Sequence, residues 1–162
     1  MDGDTNKINA VAVETLGAMR VACCQWVCKE PETEGRQALI AWLEQHEPAP
    51  QPRRHFGFDI DVKPEQAQQG LRGYEVWSTV GATVQPSNGV EVKTFSGGLY
   101  ATALLVHPFD DPYGKIPAGW KALHEWVIAS DRYRGGSHQW LEELIPGEGG
   151  DSLKLYYPVK AV

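Results

Sequence analysis

One hexapeptide comes back. Ala38-Leu39-Ile40-Ala41-Trp42-Leu43 is followed 84 positions later by Ala122-Leu123-His124-Glu125-Trp126-Val127, the same Ala-Leu-x-x-Trp-aliphatic pattern. In each copy Leu and Trp stand three apart with an aliphatic residue beside the Trp, which is one face of an α-helix. An internal match at about half the length of a 162-residue chain restricts the fold more than any single motif. It predicts two like units, with the functional site where they meet.

The segments around the two helices repeat in the same order. Val11-Ala12-Val13-Glu14-Thr15-Leu16 corresponds to Val90-Glu91-Val92-Lys93-Thr94-Phe95 at an offset of 79, and Gly17 to Val21 corresponds to Gly97 to Ala101 at 80. His55 to Asp61 corresponds to His138 to Leu144, and Tyr74–Val80 to Leu153–Val159. These matches set Tyr100 against Arg20, Glu142 against Asp59 and Tyr156 against Trp77. Period-two alternation, as in Phe56, Phe58, Ile60 and Val62, marks half-buried strands. Pro31 followed by Glu32 and Glu34 starts the first helix, which runs to about His46. The stretches EPAPQPRR, KPEQAQQGLRG and HPFDDPYGKIP read as loops. Each half is therefore β-α-β-β. The expected fold class is α+β: duplicated units with pseudo-twofold symmetry, antiparallel sheets forming a central groove and two backing helices. Residues 1–9 read as a disordered tail and 10–162 as one domain, with half-repeats at about 10–82 and 89–162.

Composition narrows the function. A net charge of −6 argues against direct contact with nucleic acid, which is bound mostly through Lys and Arg. No apolar run approaches the roughly 20 residues of a membrane span. The polar start, MDGDTNKINA, lacks the order of a signal peptide, so a cytoplasmic protein is expected. Cys23, Cys24 and Cys28 form no Cys-x-x-Cys pair and read as free thiols on a strand. No metal site, phosphate loop, nucleophile elbow or dinucleotide fingerprint is present, and no cofactor is expected. Gly97-Gly98 reads as a strand bend, and His55 and His138 as strand-entry residues.

The chain resembles the GyrI-like small-molecule-binding family, whose module also serves as the effector-binding domain of multidrug-responsive transcription activators. The resemblance rests on Arg54-His55-Phe56-Gly57-Phe58, Gly73-Tyr74-Glu75-Val76-Trp77 and Gly97-Gly98-Leu99-Tyr100-Ala101. It continues through Trp120 to Trp126, His138-Gln139-Trp140-Leu141-Glu142-Glu143 and Tyr157-Pro158-Val159. It implies a central aromatic groove with a buried acid that takes hydrophobic, planar or cationic drug-like compounds. The family's Phe-Glu-x-Tyr pattern falls on Leu141-Glu142-Glu143-Leu144, where Leu144 replaces the tyrosine. The Gly-Tyr-Glu-Val-Trp and Gln-Trp-Leu-Glu-Glu strings are similar to a branch that hydrolyses cyclopropane-bearing DNA-alkylating natural products. No helix-turn-helix region lies outside the duplicated fold, so the domain is expected to act alone.

The candidate ligand-binding residues are Glu142, Glu143, Trp77, Tyr100, Trp140, Tyr156 and Phe58. The carboxylate would attract a cation or activate water, and the rings would stack on a flat ligand. Alternation puts Trp140, Glu142 and Leu144 on one face and Leu141 and Glu143 on the other, so one acid alone faces the groove; Glu142 is preferred. Trp42 and Trp126 are assigned to packing against the sheet. The leading reading is a stand-alone small-molecule binder. The alternative is a hydrolase in which Glu142 (or Glu143) activates water and Tyr100, or another groove donor, stabilises developing charge. A third is a modulator of a protein partner such as DNA gyrase, and a homodimer is also compatible with the sequence.

Overall fold

The computed structural model describes residues 10–48 and 52–162. The tail expected at residues 1–9 and residues 49–51 of the expected linker lie outside them. The chain is α+β, as expected. Its strands are β1 (Ala12–Leu16), β2 (Met19–Cys28), β3 (His55–Ile60), β4 (Arg72–Thr79), β5 (Glu91–Phe95), β6 (Gly98–Leu105), β7 (Tyr133–Gly135), β8 (Leu141–Ile145) and β9 (Ser152–Ala161). The helices are α1 (Pro31–His46), α2 (Pro64–Gln68) and α3 (Pro112–Ala129).

Two compact units divide the chain, and their boundary is not that of the sequence repeat. A central unit comprises Ala18–Ser96; a composite unit comprises the residues up to Gly17 together with Gly97–Val162. In the central unit the antiparallel strands run β3-β4-β2-β5. In the composite unit they run β8-β9-β6-β1, with β7 added to the far end of β9. The order is the same in both. The difference is in the edge strand: β1, first in the chain, pairs with β6, while β5, the first strand of the second repeat, pairs with β2. Each repeat thus gives its opening strand to the unit built mainly from the other.

The helices lie on one face of their own sheets. Leu39, Trp42 and Leu43 of α1 are buried against Ala22, Tyr74 and Val76. Leu123 and Val127 of α3 are buried against Ala101, Ala103, Leu155 and Val159. The recurring hexapeptide explains this contact, and a glycine three residues upstream of it extends the repeat. A Cβ on Gly35 would lie 3.0 Å from the Trp26 ring, and one on Gly119 would lie 2.9 Å from Leu105. Both helices therefore approach their sheets at a glycine, and a side chain there would push them off.

Local chemistry accounts for the departures from expectation. The loop read at HPFDDPYGKIP becomes helix from Pro112, because proline suits the first helical turn and the Asp111 carbonyl accepts from the Lys115 N–H. Pro117 sits inside α3 on its exposed side, where it removes a single helical bond. The short helix α2 and the strand β7 were not anticipated; neither is long enough to show a period. β8 begins at Leu141, so His138 to Trp140 are not strand. Trp126, assigned to the core, is only half-buried and stacks on Tyr133, with ring centroids 6.4 Å apart. Among the described residues no helix is long and apolar enough to cross a membrane.

Candidate functional site

In both units the acids and aromatic rings gather on the sheet face away from the helix. In the central unit strand alternation sends Tyr74 and Val76 to α1, and Glu75 and Trp77 the other way. Glu75 is 5% exposed and has three donors. Gln25 Nε2 donates to Oε1 at 2.8 Å, while Trp77 Nε1 and Lys93 Nζ reach Oε2 at 2.6 and 2.7 Å. Burial pushes the Glu75 carboxyl towards a higher pKa, but the hydrogen bonds from Lys93, Gln25 and Trp77 outweigh it and hold the group below the ordinary value of 4.5. A carboxylate so held is an electrostatic anchor and a weak base.

Around this acid stand aromatic walls. The Trp77 ring meets Phe58 edge-on at 5.4 Å and Phe95 at 5.2 Å, and the Lys93 ammonium lies 5.0 Å from its centroid. Cys23 is opposite Trp77 in the ladder, and its thiol is pushed up to about 11 by burial, so it is no nucleophile at neutral pH.

The composite unit presents a second such face. Glu143 is 4% exposed and accepts a 2.5 Å hydrogen bond from the Tyr156 hydroxyl. Tyr156 and Tyr100 meet edge-to-face at 5.5 Å, and the Tyr100 hydroxyl donates to the Gln139 carbonyl at 2.5 Å. Burial drives the Tyr100 phenol well above its ordinary pKa, so it stays protonated as a donor. Glu14 and Lys154 form an ion pair of 2.5 Å on this face, and Lys154 lies 5.2 Å from the Tyr156 ring centroid.

Against the sequence expectations, Trp77 and Phe58 come together in one unit and Tyr100, Tyr156 and Glu143 in the other. Glu142 and Trp140 do not join them. Glu142 Oε2 accepts from Trp120 Nε1 of α3 at 3.3 Å, and Trp140 packs on Trp120 and Tyr157 at 5.4 and 4.2 Å. The preferred acid thus lies on the helix-bearing face. The parity itself was read properly, but the wrong face was assigned to it.

The ladders also correct two correspondences. Val21 pairs with Thr79 and Lys93 as Tyr100 pairs with Pro158 and Glu14, so Tyr100 matches Val21, and Arg20 matches Leu99. Arg20 instead ties down the chain after β4 through the Gly81 and Val84 carbonyls. Glu142 is opposite Leu155 as Gly57 is opposite Val76, so Glu142 matches Gly57, and exposed Asp59 has no acidic counterpart. Glu75 and Lys93 were the residues missed. The signal was available, since Glu75 shares its parity with Trp77.

The comparisons with known proteins agree with this architecture. The C-terminal domain of EcmrR superposes with a TM-score of 0.69 at 15% identity, over 94% of this chain and 98% of that one. In the structure of EcmrR bound to DNA the score is again 0.69, at 14% identity over 94% of this chain, which spans only 58% of that longer chain. SAV2435, solved bound to tetraphenylphosphonium, gives 0.55 at 12% identity over 94% of each chain. A hydrolase from Listeria innocua gives 0.57 at 9% identity, over 93% of this chain and 91% of that one. No curated protein sequence matches. Residues 9–160 match the GyrI-like small molecule binding domain, and the chain belongs to that family.

Proposed function

We propose that this domain binds hydrophobic, planar small molecules, neutral or cationic, through the acid-and-aromatic faces of its sheets. The observation that carries this reading is Glu75, a buried carboxylate held ionised beside Trp77, Phe58 and Phe95. Aromatic faces supply stacking area, and a buried carboxylate supplies orientation and charge, which is the composition of a small-molecule site. Tetraphenylphosphonium, the compound bound by the structurally similar SAV2435, is a hydrophobic aromatic cation; its tetrahedral phosphorus gives it the charge and rings of this class without the planarity. A net charge of −6 favours such ligands over nucleic acid. A cytoplasmic setting suits a sensor or sequestering protein of this kind. The test is calorimetric titration with flat aromatic compounds, comparing the native protein with Trp77→Ala. Saturable binding weakened at least about tenfold by the substitution is expected; no saturable heat with any member of a chemically diverse set would reject the reading.

The Glu143–Tyr156 pair favours a second reading, a hydrolase opening strained rings. There Glu143, the alternative that the sequence offers to Glu142, activates the water. Multiple turnovers of a cyclopropane-bearing alkylator, abolished by Glu143→Gln, would establish it; stoichiometric binding without product would end it.

A further inference from the structure

We infer that Lys93 is a resident cation in the central unit, occupying the place that a ligand's positive charge would take. This makes it the residue that sets the site's preference between neutral and cationic compounds. The inference rests on the reading that the acid-and-aromatic face is a small-molecule site.

The Lys93 ammonium meets both features of a cation site at once. It is 2.7 Å from Glu75 Oε2 and 5.0 Å from the centroid of the Trp77 ring. A ligand cation seeking the same carboxylate and the same indole face must therefore displace it, exchanging one positive charge for another. The electrostatic gain of entry is then largely cancelled. A neutral flat ligand needs no such exchange, because it takes the stacking surface without competing for the carboxylate.

The geometry supports displacement more than permanent closure. Glu75 is the enclosed partner, its side chain 7% exposed and held by two donors besides Lys93. Lys93 is the open partner: it sits on edge strand β5, and its side chain is 43% exposed. A long, partly solvated lysine swings to water at little cost. Gln25 and the Trp77 N–H would keep the carboxylate satisfied while it did so.

Isothermal titration with tetraphenylphosphonium and with flat, neutral 1-methylnaphthalene, which carries no acceptor for the Lys93 ammonium, tests this in the native protein, Lys93→Met and Lys93→Gln. Lys121→Met on the outer side of α3 makes the same change in net charge elsewhere. Removing the Lys93 ammonium is expected to tighten the phosphonium by about tenfold and to change the neutral probe by less than about twofold. Lys121→Met should leave both unchanged. Lys93→Gln keeps a donor to Glu75, so it supplies the comparison if the methionine variant is poorly folded by thermal melt. Phosphonium binding that is unchanged or weaker in the Lys93 variants, while the native protein binds either probe, overturns the inference and leaves the binding function standing. Binding of neither probe to any variant overturns both. An equal gain in Lys121→Met would assign the effect to overall charge and also overturn the inference.

Discussion

The two units carry the same ion pair with its charges exchanged. In the central unit the lysine, Lys93, is on the edge strand and the acid, Glu75, on the inner strand; in the composite unit Glu14 is on the edge and Lys154 inside. Glu75 and Lys154 stand 79 residues apart, as do Glu14 and Lys93, and in each unit the ammonium lies over the next ring, Trp77 or Tyr156. Each pair reaches across the strand between its partners, β2 in the central unit and β6 in the composite one, and the two units use opposite polarities. What differs is the surroundings. Glu75 is buried with two further donors, whereas Glu14 is 37% exposed and has one weak donor in Thr102, at 3.3 Å. The acid of the central pair is enclosed beside Trp77, while the composite pair is partly exposed and shares its face with Glu143 and Tyr156.

Reversing the central pair should do the most damage. In the double variant Glu75→Lys, Lys93→Glu the Trp77 N–H and the Gln25 amide would face a buried ammonium, and about 3 kcal/mol or more should be lost in urea unfolding. Recovery to native stability would show that the central pair tolerates either polarity. Glu75→Ala, which strands the same donors but lets Lys93 reach water, should cost about 2–3 kcal/mol.

The acid response of the central pair follows from its sign. Glu75 has a lowered folded-state pKa, so the unfolded chain takes up its proton first as pH falls. The stabilisation it gives is complete above its ordinary value of 4.5 and is lost as the pH drops through the lowered one. Glu75→Gln should therefore flatten the pH dependence of stability below about pH 4.5, and an unchanged slope would show that this carboxylate is not held ionised.

On the other face Tyr156→Phe removes a donor from buried Glu143 and should cost about 1–2 kcal/mol. The smallest effect is expected from Glu14→Gln, which breaks the composite pair and leaves Lys154 opposite Glu143. Because Glu14 is partly exposed, stability should stay within about 0.5 kcal/mol of native. A loss as large as that in the central unit would abolish the distinction between the two pairs.

How much of this was legible follows from what alternation and repetition encode. The hexapeptide located both helices, since Leu39, Trp42 and Leu43 and their counterparts must face a sheet. Parity separated Glu75 and Trp77 from Tyr74 and Val76. Two errors came from matching letters across the halves. Gly97-Gly98 drew β6 one residue out of step, and the histidines at 55 and 138 drew β8 two residues out. A ladder is set by hydrogen-bond partners in distant segments, and no local pattern gives the register. Nor does parity say which face is covered, so the preference for Glu142 rested on its match to Asp59, which the ladders remove. The exchanged strands were out of reach for the same reason: AVETL and EVKTF alternate alike and carry no mark of which sheet they will join.

The exchanged edge strand has a consequence for synthesis at the ribosome. Once residue 96 has emerged, every strand of the central unit exists. β1, made before that unit, is still unpaired, because its register requires Gly98–Leu105 and that strand also pairs with β9. Chains grow from the N-terminus, and domains tend to fold in that order. Here a strand made before the central unit is paired only after it. Until then the nascent chain bears an alternating five-residue strand with both edges open, the form most prone to pairing with a neighbour.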